Sequence, residues 1–336
     1  HPAASAGLAG FGSFADPKTV VPKTVVPKAA AAAGGPNVVY LQHESLSGGI
    51  ALNTAAGVAA MPFFQNALRT DPEFYVFEHA RAVSGNTLDA LPALMTGCLP
   101  YTPAAVDWVQ APGRSVGHAF KRRGYRTGSF CSRGLDNNMK TGQWSMLHDM
   151  LVGDMDAVVE PLSQKWPRDN AEGTDDRRML PAFEAWLAAP GPGQGQPSRP
   201  FYAQFYNFNQ HAPYMEREGA PPGTERYHQS LATTDEFLRR LFELLARTGQ
   251  LQNTIVVGSG DHGEEPFRQA FHARLQALNS NILQPLSYVY YPRRLMPDPS
   301  AAARLRSNTT KGDAHPRPVP HAPGHPRPDL RAPGGR

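Results

Sequence analysis

The chain has 336 residues and a formal net charge of +4, with 33 prolines, 31 glycines and two cysteines. The length allows one large α/β domain, and the modest charge excludes the basic surface typical of a nucleic-acid-binding protein. Cys98 and Cys131 are too few for a disulfide framework, and they either pair or stay free. No apolar run is long enough to span a bilayer. The chain begins at His1 rather than Met, which leaves an upstream signal or membrane anchor open.

The two ends of the chain differ in composition from the middle. Residues 1–36 contain a proline-rich direct repeat, an alanine tract and a Gly-Gly-Pro sequence, and residues 313–336 are rich in proline, histidine and arginine. Prolines at this density prevent a continuous helix or a central strand. We therefore predict a disordered leader or linker at 1–36, a folded domain at 37–312 and a disordered tail at 313–336.

Short apolar runs alternate with helical patterns along the middle of the chain. Strands are predicted at 38–41, 74–79, 125–131, 201–206, 254–257 and 286–291. Helices are predicted at 51–69, 88–96, 115–123 and 176–188, and a long amphipathic helix runs through Leu231 and Leu245 and ends at Gly249. This alternation predicts an α/β fold with a doubly wound, mostly parallel central sheet and helices on both faces.

Polar residues lie where several of these predicted elements end or begin. Glu44 follows the first strand, His211 follows the strand at 201–206, and Asp261 and His262 follow the strand at 254–257. Thr87 opens the helix at 88–96. Ligands of such sheets bind beyond the carboxyl ends of the strands, so we expect these side chains to lie close together.

The chemistry of this set suits a metal-dependent reaction. Glu44, Asp261 and His262 offer two carboxylates and an imidazole for one divalent cation, and the Thr87 hydroxyl would complete the shell. Coordination and the positive helix end would favour the alkoxide and make Thr87 a nucleophile. Zn²⁺ or Mn²⁺ fits best because imidazole is a poor ligand for Ca²⁺, with Ca²⁺ and Mg²⁺ as alternatives.

Each of these residues also has an ordinary structural explanation. Thr87 can be a helix N-cap, and an acidic residue after a strand can be solvated or can cap a helix. Asp261-His262-Gly263 can be a simple turn in which Gly263 supplies a positive φ. Their joint occurrence at successive strand ends favours the metal site over these separate explanations.

These residues resemble the alkaline-phosphatase superfamily, in particular the sulfatases and their lipoteichoic-acid-synthase and phosphoethanolamine-transferase relatives. The most specific motifs are Asp261-His262-Gly263-Glu264 and Thr96-Gly97-Cys98-Leu99-Pro100, within a resemblance that covers residues 37–311. It implies an alkaline-phosphatase-like fold. Counting back from the Thr-Gly motif, it places the nucleophile on Thr87, and it places the metal carboxylate on Glu44.

The resemblance also assigns two histidines to the substrate. His211 lies in Gln210-His211-Ala212-Pro213-Tyr214, which is similar to the segment of the family that carries a substrate-contacting histidine. His272 falls in a region where relatives place a further histidine. Both are expected to bind the non-bridging oxygens or to protonate the leaving group.

The activity implied by the resemblance is hydrolysis or transfer of a phosphate group, from a phosphodiester or phosphomonoester, through a covalent Thr87 intermediate. A sulfuric ester hydrolase is the alternative. Formylglycine sulfatases carry Cys or Ser followed by a Pro-x-Arg pattern, whereas Thr87 is followed by Leu88-Asp89-Ala90-Leu91. No Lys-x-His pair of the kind that holds sulfate follows Cys131.

A third hypothesis is a catalytically inactive module of the same fold that binds anionic glycans or lipid head groups. The family continues past the last strand into more helix and a small C-terminal sheet, whereas this sequence passes into the proline-rich tail, so we expect a truncated C-terminal part. The expected partner is a phosphate- or sulfate-ester substrate, such as a lipid head group or glycan, and not nucleic acid. The expected location is the secretory pathway, outside the cell or at a membrane, with any membrane association through a segment before His1.

Overall fold

A computed structural model describes residues 35–98, 113–133, 144–153, 155–159, 174–189, 199–217, 219–266 and 280–310. The described residues form a seven-stranded sheet in the order β2-β7-β6-β1-β5-β3-β4. The strands are β1 (Asn37–His43), β2 (Phe74–Val76), β3 (Arg126–Cys131), β4 (Ala157–Val159), β5 (Phe201–Asn207), β6 (Thr254–Gly260) and β7 (Ser287–Tyr290). All pairs are parallel except the two that involve β7. The predicted mostly parallel α/β fold is confirmed.

The helices lie on both faces of this sheet. They are α1 (Gly48–Asn53), α2 (Ala55–Ala60), α3 (Thr87–Thr96), α4 (Val116–Arg122), α5 (Trp144–Val152), α6 (Met179–Ala188), α7 (Arg226–Arg247), α8 (Ser280–Leu283) and α9 (Ala301–Thr309). A π-helical segment spans Phe64–Leu68, and short 3₁₀ segments span Asp176–Arg178, Leu251–Asn253 and Arg293–Leu295. None of the helices in the described part of the chain is long and apolar enough to cross a membrane.

Several predicted elements differ in extent from the observed ones. The single helix predicted at 51–69 is broken at Thr54, whose hydroxyl accepts the N–H of Gly57 and starts α2 as a separate helix. The strand predicted at 74–79 shortens to three residues, and it pairs antiparallel with β7 at the sheet edge. Hydrophobic periodicity does not report strand direction, so this antiparallel edge was not predictable from it.

Two apolar clusters cover the faces of the sheet. Phe205 of β5 packs on one face with Phe130 and with Phe183 of α6 and Phe237 of α7. The next residue, Tyr206, belongs to the second cluster on the opposite face, with residues of α3 and α5. Because both faces are buried, consecutive residues of the central strands are apolar or hydrogen-bonded, as in other parallel sheets.

Helix α7 holds one face of the sheet and also carries a buried charge. Glu225 caps the helix by accepting the N–H of His228, and Gly249 follows its end with a φ of 70°. Asp235 is 6% exposed and accepts the backbone N–H groups of Phe63 at 3.0 Å and Phe64 at 2.8 Å. This aspartate therefore joins α7 to the segment that precedes β2.

Replacing Asp235 with alanine is expected to lower the free energy of unfolding by about 1–3 kcal/mol, because two N–H groups lose a buried acceptor. Urea denaturation measures the change. The control is Glu243→Ala on the exposed side of α7, where loss of the ion pair with Arg239 should cost no more than about 1 kcal/mol. Equal midpoints for the Asp235 variant and wild type would contradict the expectation.

The start of the folded domain and the state of the two cysteines can be compared with the sequence predictions. β1 begins at Asn37, the first residue of the predicted domain. Almost all of residues 1–36 and 313–336 lies outside the described residues, so the leader and tail stay predictions. Cys98 and Cys131 are both free thiols.

Candidate metal and nucleophile site

Three of the four predicted metal ligands, Glu44, Asp261 and His262, meet at the carboxyl edge of the sheet. β1 and β6 are parallel neighbours in which His43 pairs with Gly260, so Glu44 and Asp261 follow at the same level. The Glu44 N–H donates to the carbonyl of Asn207, and the Asp261 N–H donates to the carbonyl of His43. One ligand atom from each of Glu44, Asp261 and His262 lies within 4.8 Å of the other two, and all three residues are buried.

The Thr87 hydroxyl lies beside these three ligands. It is the first residue of α3, and its Oγ1 lies 2.8 and 3.0 Å from the two carboxylate oxygens of Glu44. The same hydroxyl lies 3.3 Å from Nε2 of His262. Asn86 is the residue that caps α3, by accepting the N–H of Asp89, so the interpretation of Thr87 as the N-cap is wrong.

Each of the two motifs around these residues contains a glycine that the structure requires. Gly97 ends α3 with a φ of 71°, a left-handed conformation that glycine adopts without steric cost. Gly263 does not have the positive φ of a simple turn. Instead, a Cβ at this position would clash with the backbone oxygen of Asn281, and the Gly263 N–H donates to the carbonyl of Ile282. The alternative explanation of Gly263 is therefore wrong, and close backbone packing requires the glycine.

Hydrogen bonds orient each ligand. The hydroxyl of Tyr206 donates to Glu44 Oε2 at 2.5 Å, and the hydroxyl of Ser45 donates to Oε1 at 3.2 Å. Oδ1 of Asp261 accepts the N–H groups of Ser45 and His262. Nδ1 of His262 lies 2.7 Å from the carbonyl of Gly263. A carbonyl oxygen only accepts, so Nδ1 carries a proton and Nε2 is the atom directed at Thr87 and Glu44.

The charges of the site compete for protons. Burial alone raises the pKa of Glu44, but the hydrogen bond and charge of His262, with the charge of His211, outweigh it and lower that pKa below its ordinary value. Burial and the charge of Glu44 raise the pKa of Asp261 to about 7. Burial lowers the pKa of His262, yet the charges of Asp261 and Glu44 raise it to about 10. The site therefore favours a bound positive charge.

A divalent cation fits this arrangement. Oδ2 of Asp261 is buried and has no hydrogen-bond partner among the described residues, although the second oxygen of a buried carboxylate normally has one. It lies 3.6 Å from Nε2 of His262, which is also 3.5 Å from Glu44 Oε1. Two carboxylates, an imidazole nitrogen and a hydroxyl are donors that Zn²⁺ and Mn²⁺ accept.

His211 lies beside this cluster, in a tight turn after β5. Its imidazole stacks on the ring of Phe208 with centroids 4.3 Å apart, and its Nδ1 donates to the carbonyl of Ala212. The turn is closed by hydrogen bonds from His211 N–H to Phe208 and from Tyr214 N–H to His211. The effect of its charge on the pKa of Glu44 shows that the imidazole is near the site. His272 lies outside the described residues.

Two further residues were not predicted from the sequence. Tyr206 precedes the end of β5 and reaches Glu44 across the sheet, which the strand-end rule does not identify. Arg133 follows β3, with its guanidinium 5.2 Å from the centre of the Phe208 ring. Burial and the charges of Glu44 and Asp261 raise the pKa of Tyr206, and the charge of Arg133 opposes them. Because Arg133 follows the end of a strand, the strand-end rule that selected Glu44 would also have found Arg133.

A cavity of about 250 Å³ adjoins the cluster between α3 and the ends of β6 and β7. Asp261 contributes to its wall. The remaining lining residues are mostly small or apolar, with one arginine and two serines: Arg81, Ala82, Val83, Ala90, Ala93, Leu94, Gly97, Cys98, Ser259, Gly260, Pro285 and Ser287. The hydroxyls of Ser259 and Ser287 are hydrogen-bonded to each other at 2.8 Å.

Solved structures share this fold at low sequence identity. A lipoteichoic acid synthase, LtaP, from Listeria monocytogenes aligns with a TM-score of 0.58 and 17% identity, over 80% of this chain and 68% of that chain. The periplasmic domain of EcEptC from Escherichia coli, in complex with Zn, aligns with a TM-score of 0.58 and 15% identity, over 80% and 76%. A protein of the alkaline phosphatase superfamily from Vibrio parahaemolyticus gives 0.59 and 18%, over 81% and 66%.

Sequence comparison agrees with this structural likeness. No curated protein matches the sequence significantly. A model of the sulfatase family matches residues 36–293, a range that begins just before β1, ends after β7 and includes the metal and nucleophile cluster. The chain therefore belongs to the sulfatase family, and it shares its fold with a protein of the alkaline-phosphatase superfamily, which its motifs resemble.

Proposed function

We propose that this protein is a metal-dependent hydrolase or transferase that acts on phosphate esters through a covalent intermediate on Thr87. The observation that carries the proposal is the position of the Thr87 hydroxyl, within 3.3 Å of Glu44 and His262 and at the amino end of α3. A nucleophilic hydroxyl needs a nearby base or cation to become reactive, and Thr87 lies beside a carboxylate base and beside the residues that would hold a cation.

The metal ligands are Glu44, Asp261 and His262, with Zn²⁺ or Mn²⁺ as the ion that suits their donor atoms. The bound cation would lower the pKa of the Thr87 hydroxyl and offset the negative charge of the phosphate group. Tyr206 and Ser45 hold the Glu44 carboxylate in place, and the Gly263 carbonyl holds His262 with Nε2 toward the cluster.

The reaction consists of two displacements at phosphorus. The Thr87 hydroxyl gives its proton to Glu44, and its oxygen bonds to phosphorus while the bond from phosphorus to the leaving oxygen breaks. His211 gives a proton to that leaving oxygen, and His272 is the proposed second histidine at the phosphate. Water or an acceptor hydroxyl then attacks phosphorus and loses its proton to His211, while the bond from phosphorus to the Thr87 oxygen breaks and Glu44 returns the proton to that oxygen.

The positive groups of the site suit a tetrahedral anion with more than one charge. The family leaves open the choice between a sulfate ester and a phosphate ester. A sulfate ester carries less negative charge than a phosphate monoester, so the cationic His211 and Arg133 favour the phosphate monoester. A sulfated threonine must be released by water attacking sulfur, because threonine cannot re-form an aldehyde as formylglycine does. Family membership favours a sulfuric ester hydrolase as the second candidate.

Phosphoesters are expected to be turned over at least about tenfold faster, in kcat/KM, than a matched sulfate ester, since Thr87 and the cationic groups favour phosphorus. The measurement compares p-nitrophenyl phosphate, bis-p-nitrophenyl phosphate and p-nitrophenyl sulfate with Zn²⁺ or Mn²⁺ present. The Thr87→Ala variant is the blank. Faster sulfate turnover that is lost in the variant would support the sulfatase instead. Metal binding without any turnover would support the inactive binding module.

The natural substrate is proposed to carry a lipid head group or a glycan. The cavity beside Asp261 gives room for an apolar or partly polar leaving group next to the reacting centre, with Arg81 in its wall. One structural neighbour is the periplasmic domain of EcEptC. We therefore propose an extracytoplasmic or membrane-associated location.

A further inference from the structure

Asp176 is a buried aspartate outside the metal and nucleophile cluster. Its side chain is fully buried, and Oδ1 accepts the Ser132 hydroxyl at 2.5 Å and the Phe208 N–H at 2.8 Å. Its own N–H donates to Oδ1 of Asn209 at 3.2 Å. Oδ2 has no hydrogen-bond partner of ordinary geometry among the described residues, although the Asn207 side chain lies beside it. Burying such a carboxyl group costs desolvation free energy, which indicates that Asp176 has a specific role in this protein.

The three hydrogen bonds join the ends of two strands that serve the site. Ser132 is the residue immediately before Arg133, at the end of β3. Phe208 follows β5, and its ring stacks on His211 at 4.3 Å with an interplanar angle of 15°. The guanidinium of Arg133 lies 5.2 Å from the same ring. Oδ1 of Asp176 therefore contacts both the backbone N–H of Phe208 and the side chain of Ser132, the residue before Arg133.

The turn that carries His211 is attached to the body of the protein at Asp176 and at α7. Its internal hydrogen bonds run from His211 N–H to Phe208, from Tyr214 N–H to His211 and from Met215 N–H to Asn209. These bonds shape the turn but do not fix it to the sheet. Asp176 contacts its first residues on one side, and on the other side the Asn209 and Gln210 amides donate to Thr234 and Ser230 of α7.

We propose that Asp176 is a positioning residue, which sets the place of His211 and Arg133 at the substrate by holding Phe208 and Ser132. The inference rests on the proposed function only for the statement that these two cationic groups face a phosphate ester. The hydrogen bonds need an acceptor oxygen at the Oδ1 position, so asparagine can replace aspartate and alanine cannot.

The direct test is the imidazole NMR signal of His211 in the zinc-loaded full chain. The ring current of Phe208 shifts this signal, which is identified by its loss in His211→Gln. We expect Asp176→Ala to move the signal toward that of an unstacked histidine and Asp176→Asn to leave it near the wild-type position. Asp235→Ala is the matched control, because Asp235 is also buried and also accepts two backbone N–H groups, but those of Phe63 and Phe64.

Activity provides the second readout. Asp176→Ala should lower kcat/KM for bis-p-nitrophenyl phosphate at least about tenfold, and in the His211→Gln background the loss should be smaller, because only the contribution through Arg133 remains. Asp176→Asn should restore most of the rate. Asp176→Ser, whose hydroxyl is too short to take the place of Oδ1, serves if the alanine variant does not fold.

The outcomes separate the two proposals. An unmoved His211 signal in folded Asp176→Ala or Asp176→Ser overturns the positioning role, as does an equal loss of rate with and without His211. A shift of the same size in Asp235→Ala would also overturn it, since it would report general loosening. If the wild-type protein has no turnover, the proposed function fails, and the NMR comparison still decides the role of Asp176.

Discussion

Thr87→Ala is expected to lower phosphoester turnover by on the order of 10³-fold or more, because the variant lacks the oxygen that forms the covalent intermediate. Oγ1 of Thr87 lies 2.8 Å from Glu44 and 3.3 Å from His262, and alanine leaves that position without an oxygen. Metal binding should weaken but stay measurable, because two carboxylates and an imidazole remain. Steady-state kinetics and metal content of the purified variant test the two statements together.

Two other variants control this experiment. Thr87→Ser keeps the hydroxyl and should keep measurable turnover, whereas a packing role of the Thr87 methyl group would be lost in this variant as well. Thr96→Ala lies in the last turn of the same helix, where its hydroxyl donates to the carbonyl of Pro92, and should leave turnover within a few-fold of wild type. Wild-type activity in Thr87→Ala would rule out the covalent intermediate.

The second large effect is expected from loss of His262. In the wild-type protein, a saturating divalent cation at about 100 times its Kd should stabilise the fold by about 2.7 kcal/mol. Without the cation, Glu44 and Asp261 are two buried carboxylates that repel each other. Burial raises the pKa of Asp261, and the repulsion from Glu44 raises it further. His262→Ala removes the nitrogen ligand and should reduce both the metal-dependent rise in Tm and the turnover of phosphoesters.

Thermal unfolding across a Zn²⁺ and a Mn²⁺ titration measures this effect. The control is His79→Ala, an exposed histidine that is not part of the cluster, and it should show the wild-type response to metal. We expect the metal affinity of His262→Ala to fall by about 10- to 100-fold or more, as for other losses within a metal site. A wild-type rise in Tm for the His262 variant would place the cation elsewhere.

Local sequence was sufficient for much of the fold and for the core of the site. Buried strands need apolar runs bounded by turns, so β1, β5 and β6 were found within a few residues. The carboxyl ends of parallel strands meet at one edge, so Glu44, Asp261 and His262 could be grouped from the sequence. Their position in the structure agrees with that grouping, while their roles and that of His272 stay proposals.

Tertiary structure decided what depends on contacts between distant segments. Asn86 and Thr87 are both suitable N-caps by residue type, and only the backbone geometry of α3 shows that Asn86 is the cap and that Thr87 turns to Glu44. The direction of β7, which makes the sheet edge antiparallel, is likewise absent from its apolar pattern.

The sequence by itself determined the elements and the identity of the candidate ligands, because periodicity, turn residues and strand ends are properties of neighbouring residues. Only the tertiary structure brought Arg133, Phe208 and His211 together and showed Asp176 beneath them. These residues come from three separate stretches of the chain. Their contacts arise from the pairing of β3 with β5 and from the packing of the 3₁₀ turn at Asp176–Arg178 against the strand ends, and no local pattern encodes which distant residues such packing will place side by side.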